Sequence, residues 1–348
     1  MNDSVNGTMV VCEETLGKAF KIGGLVLMIF FLTFGVLGNS LVCISVMKYS
    51  FLQKLSNYLV FSLAVSDILV SSSVLPFDVV YWVNFPRWTL GSYMCNLWNS
   101  LFFFTLTASI FNLLAISGDR FVAVVFPLKY QHWMTLETTK RVLVIVWCYS
   151  TITGVLLFIF LEPPRGEVYT FDLKPSFYSF LLFGNVLFPF SVMVILYSKI
   201  YFIAKKHARK IATASIPQNS SQPRLSSILS RELRIARTLG IVLCCFVVCW
   251  LPFLIINIKI LLDEGVESCE IEILDTVLCW LAYMNCLFNP VLYAFISQEF
   301  RRAFHRTLFS WKSNFIQFIP RRETPSKEQT HMKKRGGATS GDNFINTG

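Results

Sequence analysis

Seven stretches of the chain are apolar for long enough to cross about 30 Å of hydrocarbon as helices. They fall near Gly24 to Met47, Leu59 to Val83, Leu97 to Val125, Val142 to Leu161, Phe177 to Ile203, Leu239 to Leu262 and Ile273 to Ile296. The polar segments between them are short, apart from Ala212 to Ser230, rich in Ser, Gln and Pro, and the stretch after Trp311, rich in charge, Gly and Thr. Between the last span and that stretch, Phe300, Phe304, Leu308 and Trp311 recur at helical spacing opposite Arg301, Arg302, His305 and Arg306. The pattern predicts an all-α membrane protein. An N-terminal segment (1–21) leads into a seven-transmembrane helix bundle (22–297), then a short amphipathic eighth helix (298–311) on the membrane face and a disordered tail (312–348).

Composition agrees. With 54% hydrophobic and 15% charged residues over 348 positions, the chain is too apolar for a soluble domain, whose charged fraction is nearer one quarter. The net charge of +10 does not mark a nucleic-acid binder, because the basic residues border the spans, where an anionic leaflet attracts them. With the N-terminus outside, 25 of the 31 Lys and Arg fall on the inner side, among them Lys205, Lys206, Arg209, Lys210, Arg231, Arg234 and Arg237. That asymmetry predicts that residues 1–21 are extracellular and the tail cytoplasmic. Asn2-Asp3-Ser4 and Asn6-Gly7-Thr8 then place N-glycosylation sequons at Asn2 and Asn6 outside. The first 21 residues lack the features of a cleaved signal peptide, so the first span is expected to direct insertion.

Acids within the spans bear most directly on function. Asp67 interrupts the apolar run Leu59 to Val80. A bare carboxylate at mid-bilayer costs roughly 2.5 to 3.5 kcal/mol even on lenient insertion scales, so Asp67 is expected to face a polar cavity, a cation or a proton path. Asp78 lies eleven residues on, about 16 Å further out along an ideal helix. It reads either as a helix-end acid meeting water or as an anchor for a cationic ligand, with Trp82 at same-face spacing and Trp98 able to approach from the third span. Pro189 and Pro252 remove backbone hydrogen bonds in mid-helix, so both spans should kink or loosen there. Seven cysteines, Cys43, Cys148, Cys244, Cys245, Cys249, Cys279 and Cys286, fall inside spans and read as small apolar packers.

One motif marks each span, in order: Gly38-Asn39-Ser40, LAVSD at 63–67, Asp119-Arg120-Phe121, Trp147, Pro189, CWLP at 249–252 and NPVLY at 289–293. The set resembles the rhodopsin-like (class A) G-protein-coupled receptors over about residues 25 to 311. Within that family, the stretches 107–124, 249–253 and 280–295 are most similar to the biogenic-amine receptors. The resemblance implies a receptor, not an enzyme, in the plasma membrane. It would bind a small extracellular ligand, amine-like or another small aromatic or lipophilic molecule, and activate heterotrimeric G proteins, with arrestin and receptor kinases as further partners. The chain departs from the pattern at Phe102, which stands where amine receptors carry the Asp that pairs with the ligand ammonium. Phe offers a cation–π contact of roughly 0.5 to 2 kcal/mol but no counterion. Asp78 is the candidate replacement.

The resemblance also implies roles for individual residues. Trp98, Phe102, Phe103, Leu106, Leu181, Asn185, Trp250, Phe253, Asn257, Trp280 and Tyr283 would line the ligand pocket. Asp67, Ser109, Asn285 and Asn289 would ring an allosteric sodium ion, since oxygen ligands suit a hard cation, or else hold a water network. Arg120, beside Asp119, would pair with Glu232 at rest and be released to meet the G protein, while Tyr197 and Tyr293 turn inward. Ile110, Pro189 and Phe246 would form the connector that repacks on activation, beneath Trp250 as ligand sensor. Cys95 matches the family's cysteine at the outer end of the third span, but the second outer loop, Glu162 to Pro175, holds no partner for it. The expected bridge is Cys12 to Cys269, because the first and seventh spans are neighbours in this fold and the exterior is oxidising. Cys95 bridged to Cys12, or left as a free thiol, is the alternative.

A membrane transporter would also carry an intramembrane acid and broken helices, but the chain shows no internal repeat and places Arg120 and NPVLY at the inner ends of its spans. A light receptor of this fold needs a Lys where Tyr283 stands. A partner-dependent or constitutively active receptor is the remaining alternative, given Phe102 and the missing bridge.

Overall fold

In a computed structural model the chain is described over residues 17–85, 87–162, 173–213, 222–262 and 269–318. Among these residues seven helices are long and apolar enough to cross a membrane. They are α1 (Gly17–Lys48), α2 (Leu55–Leu69, a π-helical turn Val70–Val74, then Leu75–Asn84), α3 (Gly91–Val125) and α4 (Leu136–Phe160), followed by α5, α6 and α7. Helix α5 runs Pro175–Leu182, through a second π-helical turn Phe183–Leu187, into Phe188–Thr213; α6 is Gln222–Leu262; α7 comprises Cys269–Tyr283 and Asn285–Ile296. Helix α8 (Gln298–Phe318) follows, and a short helix Pro127–Trp133 joins α3 to α4. This is the helical bundle that the apolar runs predict.

Local chemistry explains several joints. The Thr135 hydroxyl accepts the Thr138 amide at 3.2 Å and caps α4, while Pro127 and Pro175 sit in first turns, where a missing N–H is no loss. Pro290 withholds an amide from the carbonyl of Cys286, one turn earlier. The Asn39 amide supplies the missing donor at 2.8 Å and also donates to the Gly35 carbonyl at 2.9 Å. Gly38 permits this approach of α1 to α7, since a Cβ there would lie 2.8 Å from Pro290. On the opposite flank, the Trp147 indole donates to the Ser62 hydroxyl at 3.0 Å and ties α4 to α2.

The apolar interior has two main parts. One surrounds Ile110, Phe246 and Trp250 and extends to Phe300 and Phe304. The other, toward the Asp78 end, is aromatic: Trp82, Phe85, Trp88, Trp98, Trp280 and Tyr283.

The structure differs from the sequence reading at several boundaries. Residues 212–213 and 222–230, expected in a loop, are helical, and Glu232 lies ten residues into α6 instead of opening it. Helix α6 passes through Pro252 as one element, whereas α5 loosens into its π turn just before Pro189. Helix α8 continues to Phe318, seven residues beyond Trp311, because Trp311, Phe315 and Phe318 keep the three-to-four-residue apolar spacing. Phe300 and Phe304 are buried against the bundle, while Leu308 is 54% exposed on the face assigned to the membrane.

Candidate functional site

Asp78 is not the exposed helix-end acid of one sequence reading. It is only 6% exposed, and its Oδ2 accepts from the Tyr283 hydroxyl at 3.0 Å and from the Trp98 indole at 3.3 Å. The C-terminal half of α2 thus meets α3 and α7 at one carboxylate. Trp98 is held by stacking on Trp88, with ring centroids 5.0 Å apart, and Trp82 stacks on Phe85 at 5.1 Å. Phe102 sets its edge against Tyr283 at 6.0 Å and lies 6.2 Å from Trp250.

Below this carboxylate lies a cavity with about 20 Å³ open to a water-sized sphere, space for about one water molecule or ion. Phe102, Leu106, Trp250 and Tyr283 line it together with Asp67, Ser109, Asn285, Thr105 and Cys286. The expected ligand floor and the expected ion site therefore share one space. Asn289 donates to Asp67 at 2.6 Å, while its own carbonyl oxygen is buried without a partner. Ser109 donates to Ser66 at 3.0 Å. One carboxylate with hydroxyl and amide oxygens is a donor set that suits a single hard monovalent cation completed by water. Among the described residues there is no cluster of three or more His, Cys, Asp or Glu that would hold a divalent metal.

Other predicted pocket residues sit elsewhere. Trp280 packs on Phe20 of α1 at 5.2 Å and on Trp82, away from the cavity. Leu181 is buried against Leu157 and Leu161 at the end of α4, with Phe103 alongside. Phe253 touches Trp250, with centroids 6.0 Å apart. Asn185 is 1% exposed and neither of its amide atoms has a partner, nor has the Trp250 indole N–H. Asn257 accepts from the Tyr178 hydroxyl at 2.9 Å and donates to Asp275 at 2.9 Å, linking α5, α6 and α7. Sequence reasoning missed this chain, because three residues on three helices give no local signal.

At the opposite end Arg120 is 2% exposed and folds back onto Asp119, its Nε donating at 2.8 Å and its Nη2 closer still. Tyr130, from the short linking helix, donates to the other Asp119 oxygen at 2.8 Å and receives from Arg120 at 3.3 Å. That tyrosine was also missed, because nothing in the sequence distinguishes it from Phe121, Phe126 and Trp133 around it. The Glu232 side chain lies outside the described residues. Tyr197 packs with Val124, Ile200 and Phe121. The Tyr293 hydroxyl is buried without a partner, and its ring stacks on Phe300 at 5.1 Å. Phe246 bridges Phe190 at 5.4 Å and Trp250 at 5.8 Å, and Ile110 is fully buried.

Cys95 is buried as a free thiol 3.7 Å from the Asn99 amide. Cys12 and the side chain of Cys269 lie outside the described residues.

Seven spans surround a buried polar core, with an Asp-Arg pair at one end and an acid within an aromatic cluster at the other, the arrangement of a seven-helix membrane receptor. Residues 38–293 match the family model for the seven-transmembrane receptors of the rhodopsin family, and the chain belongs to that family of G-protein-coupled receptors. It is 31% identical over 343 residues to the human alpha-1A adrenergic receptor, covering 88% of this chain and 72% of that one. It is 33% identical over 335 residues to the alpha-1A adrenergic receptor of Oryzias latipes, covering 87% and 70%. It is also 31% identical over 357 residues to the octopamine receptor beta-2R of Chilo suppressalis, covering 94% and 88%.

Proposed function

We propose that the chain is a plasma-membrane receptor, N-terminus outside, that binds a protonated amine through Asp78 and passes the event to a heterotrimeric G protein. The observation that carries this reading is the burial of Asp78 between Trp98 and Tyr283 with only neutral donors on its carboxylate. A cation arriving from that end meets an uncompensated acid beside aromatic rings, which together suit an ammonium. The acid that amine receptors carry on the third helix has its place taken by Phe102, and the anchoring role passes to the second. The adrenergic and octopamine receptors among the relatives favour an amine over a lipid or nucleoside. The excess of Lys and Arg on the Arg120 side supports the orientation.

In the same reading, Asp67, Ser109, Asn285 and Asn289 hold a sodium ion at rest, and its loss accompanies closing of the shared cavity. Arg120 leaves Asp119 and Tyr130 to receive the G protein. Receptor kinases and arrestin act at the inner face, glycans sit on Asn2 and Asn6, and Cys12 bridges to Cys269. Asp78→Asn tests the reading. In cells with surface expression checked by labelling, amine potency should fall about 100-fold, as expected when a desolvated charge pair loses one partner. Unchanged potency removes Asp78 as anchor.

A second reading, constitutive or partner-dependent signalling, is favoured by the Phe102 ring, which packs against Trp250 and Tyr283 and lines a cavity with space for about one water. On that reading the ligand-free receptor in lipid discs turns over nucleotide on its G protein at a high rate, and Asp78→Asn leaves this unchanged.

A further inference from the structure

We infer that the hydrogen-bonded chain Tyr178–Asn257–Asp275 latches α5, α6 and α7 together in the state that holds Arg120 on Asp119, and opens when the receptor activates its G protein. The latch needs the G-protein part of the reading above and not the amine anchor. Asn257 commits its whole amide to it. Its Oδ1 accepts from the Tyr178 hydroxyl at 2.9 Å, while its Nδ2 donates to Asp275 Oδ1 at 2.9 Å and to the Phe253 carbonyl at 2.8 Å. A carboxylate acceptor makes the Asp275 bond the stronger of the two interhelical ties. None of the three residues is fully buried, so water can replace these bonds when the chain opens.

The same side of α6 carries the aromatic stack at the centre of the bundle, since Phe246, Trp250, Phe253 and Asn257 recur at helical spacing. Phe253 meets Trp250 with centroids 6.0 Å apart, Trp250 stacks on Phe246 at 5.8 Å, and Phe246 meets Phe190 of α5 at 5.4 Å. Helices α5 and α6 are therefore tied twice, by Tyr178 before the π turn Phe183–Leu187 and by Phe190 after it. Between the ties the packing is unsatisfied. Asn185, inside the π turn, is 1% exposed with both amide atoms unpaired, and the Trp250 indole N–H has no partner either. Buried polar groups left unpaired are costly, so the latched arrangement carries a cost that a shift of α5 against α6 can relieve. Helix α6 runs unbroken from Gln222 to Leu262, and a rigid helix carries a displacement at Asn257 toward the Arg120 end. A tie that holds against a built-in cost, at one end of such a lever, restrains a switch.

The test measures nucleotide exchange without ligand on a panel of heterotrimeric G proteins, in membranes of cells expressing the full chain, with surface labelling and thermal unfolding of each variant. Tyr178→Phe and Asp275→Ala each remove one interhelical bond and should raise basal exchange about 5-fold, the factor that one net hydrogen bond corresponds to. Asn257→Ala removes both and should raise it about 10-fold or more. Adding Tyr178→Phe to Asn257→Ala should add nothing, because the acceptor is already gone. Asp275→Asn keeps an acceptor for the Asn257 amide and should raise exchange less than Asp275→Ala. Tyr178→Phe deletes a single oxygen and keeps the ring, so the outcome does not hang on a variant that folds poorly. A lower Tm with basal exchange at or below the wild-type rate in Tyr178→Phe and Asp275→Ala makes the chain a structural staple and overturns the latch. If Tyr130→Phe raises basal exchange and the chain variants do not, the latch fails and the G-protein reading stands; if no variant drives exchange on any heterotrimer, both fail.

Discussion

Replacing Asp67 by Asn removes one charge while barely changing shape, which isolates the electrostatic part of the cavity. Asn289, now 2.6 Å from the carboxylate, retains an amide oxygen to donate to, so the fold should persist. A cation about 4 Å from a carboxylate gains about 4 kcal/mol at an effective dielectric near 20, or roughly three decades of affinity. Since Asp67 is the only acid lining the cavity among the described residues, sodium should lose its hold there. The assay is thermal unfolding of purified receptor titrated with sodium chloride against potassium chloride at fixed ionic strength. At sodium about ten times its Kd, stabilisation is about 1.4 kcal/mol, which corresponds to a Tm rise on the order of 2–4 °C. The wild type should show that rise and Asp67→Asn a flat response. A variant that keeps the sodium-dependent shift, or a wild type without one, refutes the ion site.

Tyr130→Phe removes one donor to Asp119 and one acceptor for Arg120; at about 1 kcal/mol of net hydrogen bonding, basal G-protein activation should rise about 2- to 10-fold, and an unchanged basal rate contradicts a restraining role. Arg120→Ala should abolish G-protein activation while surface expression persists, and full coupling in that variant rules out the release mechanism. Asn39→Ala leaves the Cys286 carbonyl unpaired where Pro290 already denies it a donor; the cost should be about 1–3 kcal/mol, seen as a Tm several degrees lower, and an unaltered Tm shows that the bond contributes little.

Much of the bundle was legible because each informative residue solves a problem that bilayer insertion makes visible. Asn39, Asp67, Asp119-Arg120 and Pro290 are costly in hydrocarbon, so their presence in apolar runs announced partners before any partner was known. The errors arise where phase or distance decides. Leu181 and Trp280 satisfy any pattern for a pocket residue, yet Leu181 faces the end of α4 and Trp280 faces α1. Hydrophobic periodicity does not reveal which side of an all-apolar helix meets a neighbour. The Tyr178–Asn257–Asp275 chain joins residues up to 97 positions apart in numbering, and nothing in the sequence sets its acid apart from the exposed Glu270 nearby.

The π-helical turn at Val70–Val74 explains why counting along α2 misplaces Asp78. Eleven residues at 100° each would return Asp78 to within about 20° of the Asp67 direction, stacking both acids over the same cavity. A π turn adds one residue to a turn, so the segment beyond it is rotated by about 100° relative to an unbroken helix. Asp67 consequently faces the cavity with Asn285 and Ser109, while Asp78 is clasped by Trp98 and Tyr283 and does not line that cavity. Three consecutive serines, Ser71, Ser72 and Ser73, lie in the turn and donate to the carbonyls of Asp67, Ile68 and Leu69 at 2.6–2.9 Å. The serine run and the separation of the two acids are thus parts of one arrangement: Asp67 and Asp78, eleven residues apart on α2, meet different neighbours on either side of the π turn. Tyr283 completes the link, with its hydroxyl on Asp78 and its ring in the wall of the Asp67 cavity. Any movement of the Asp78 carboxylate therefore bears on a residue that shapes the Asp67 cavity.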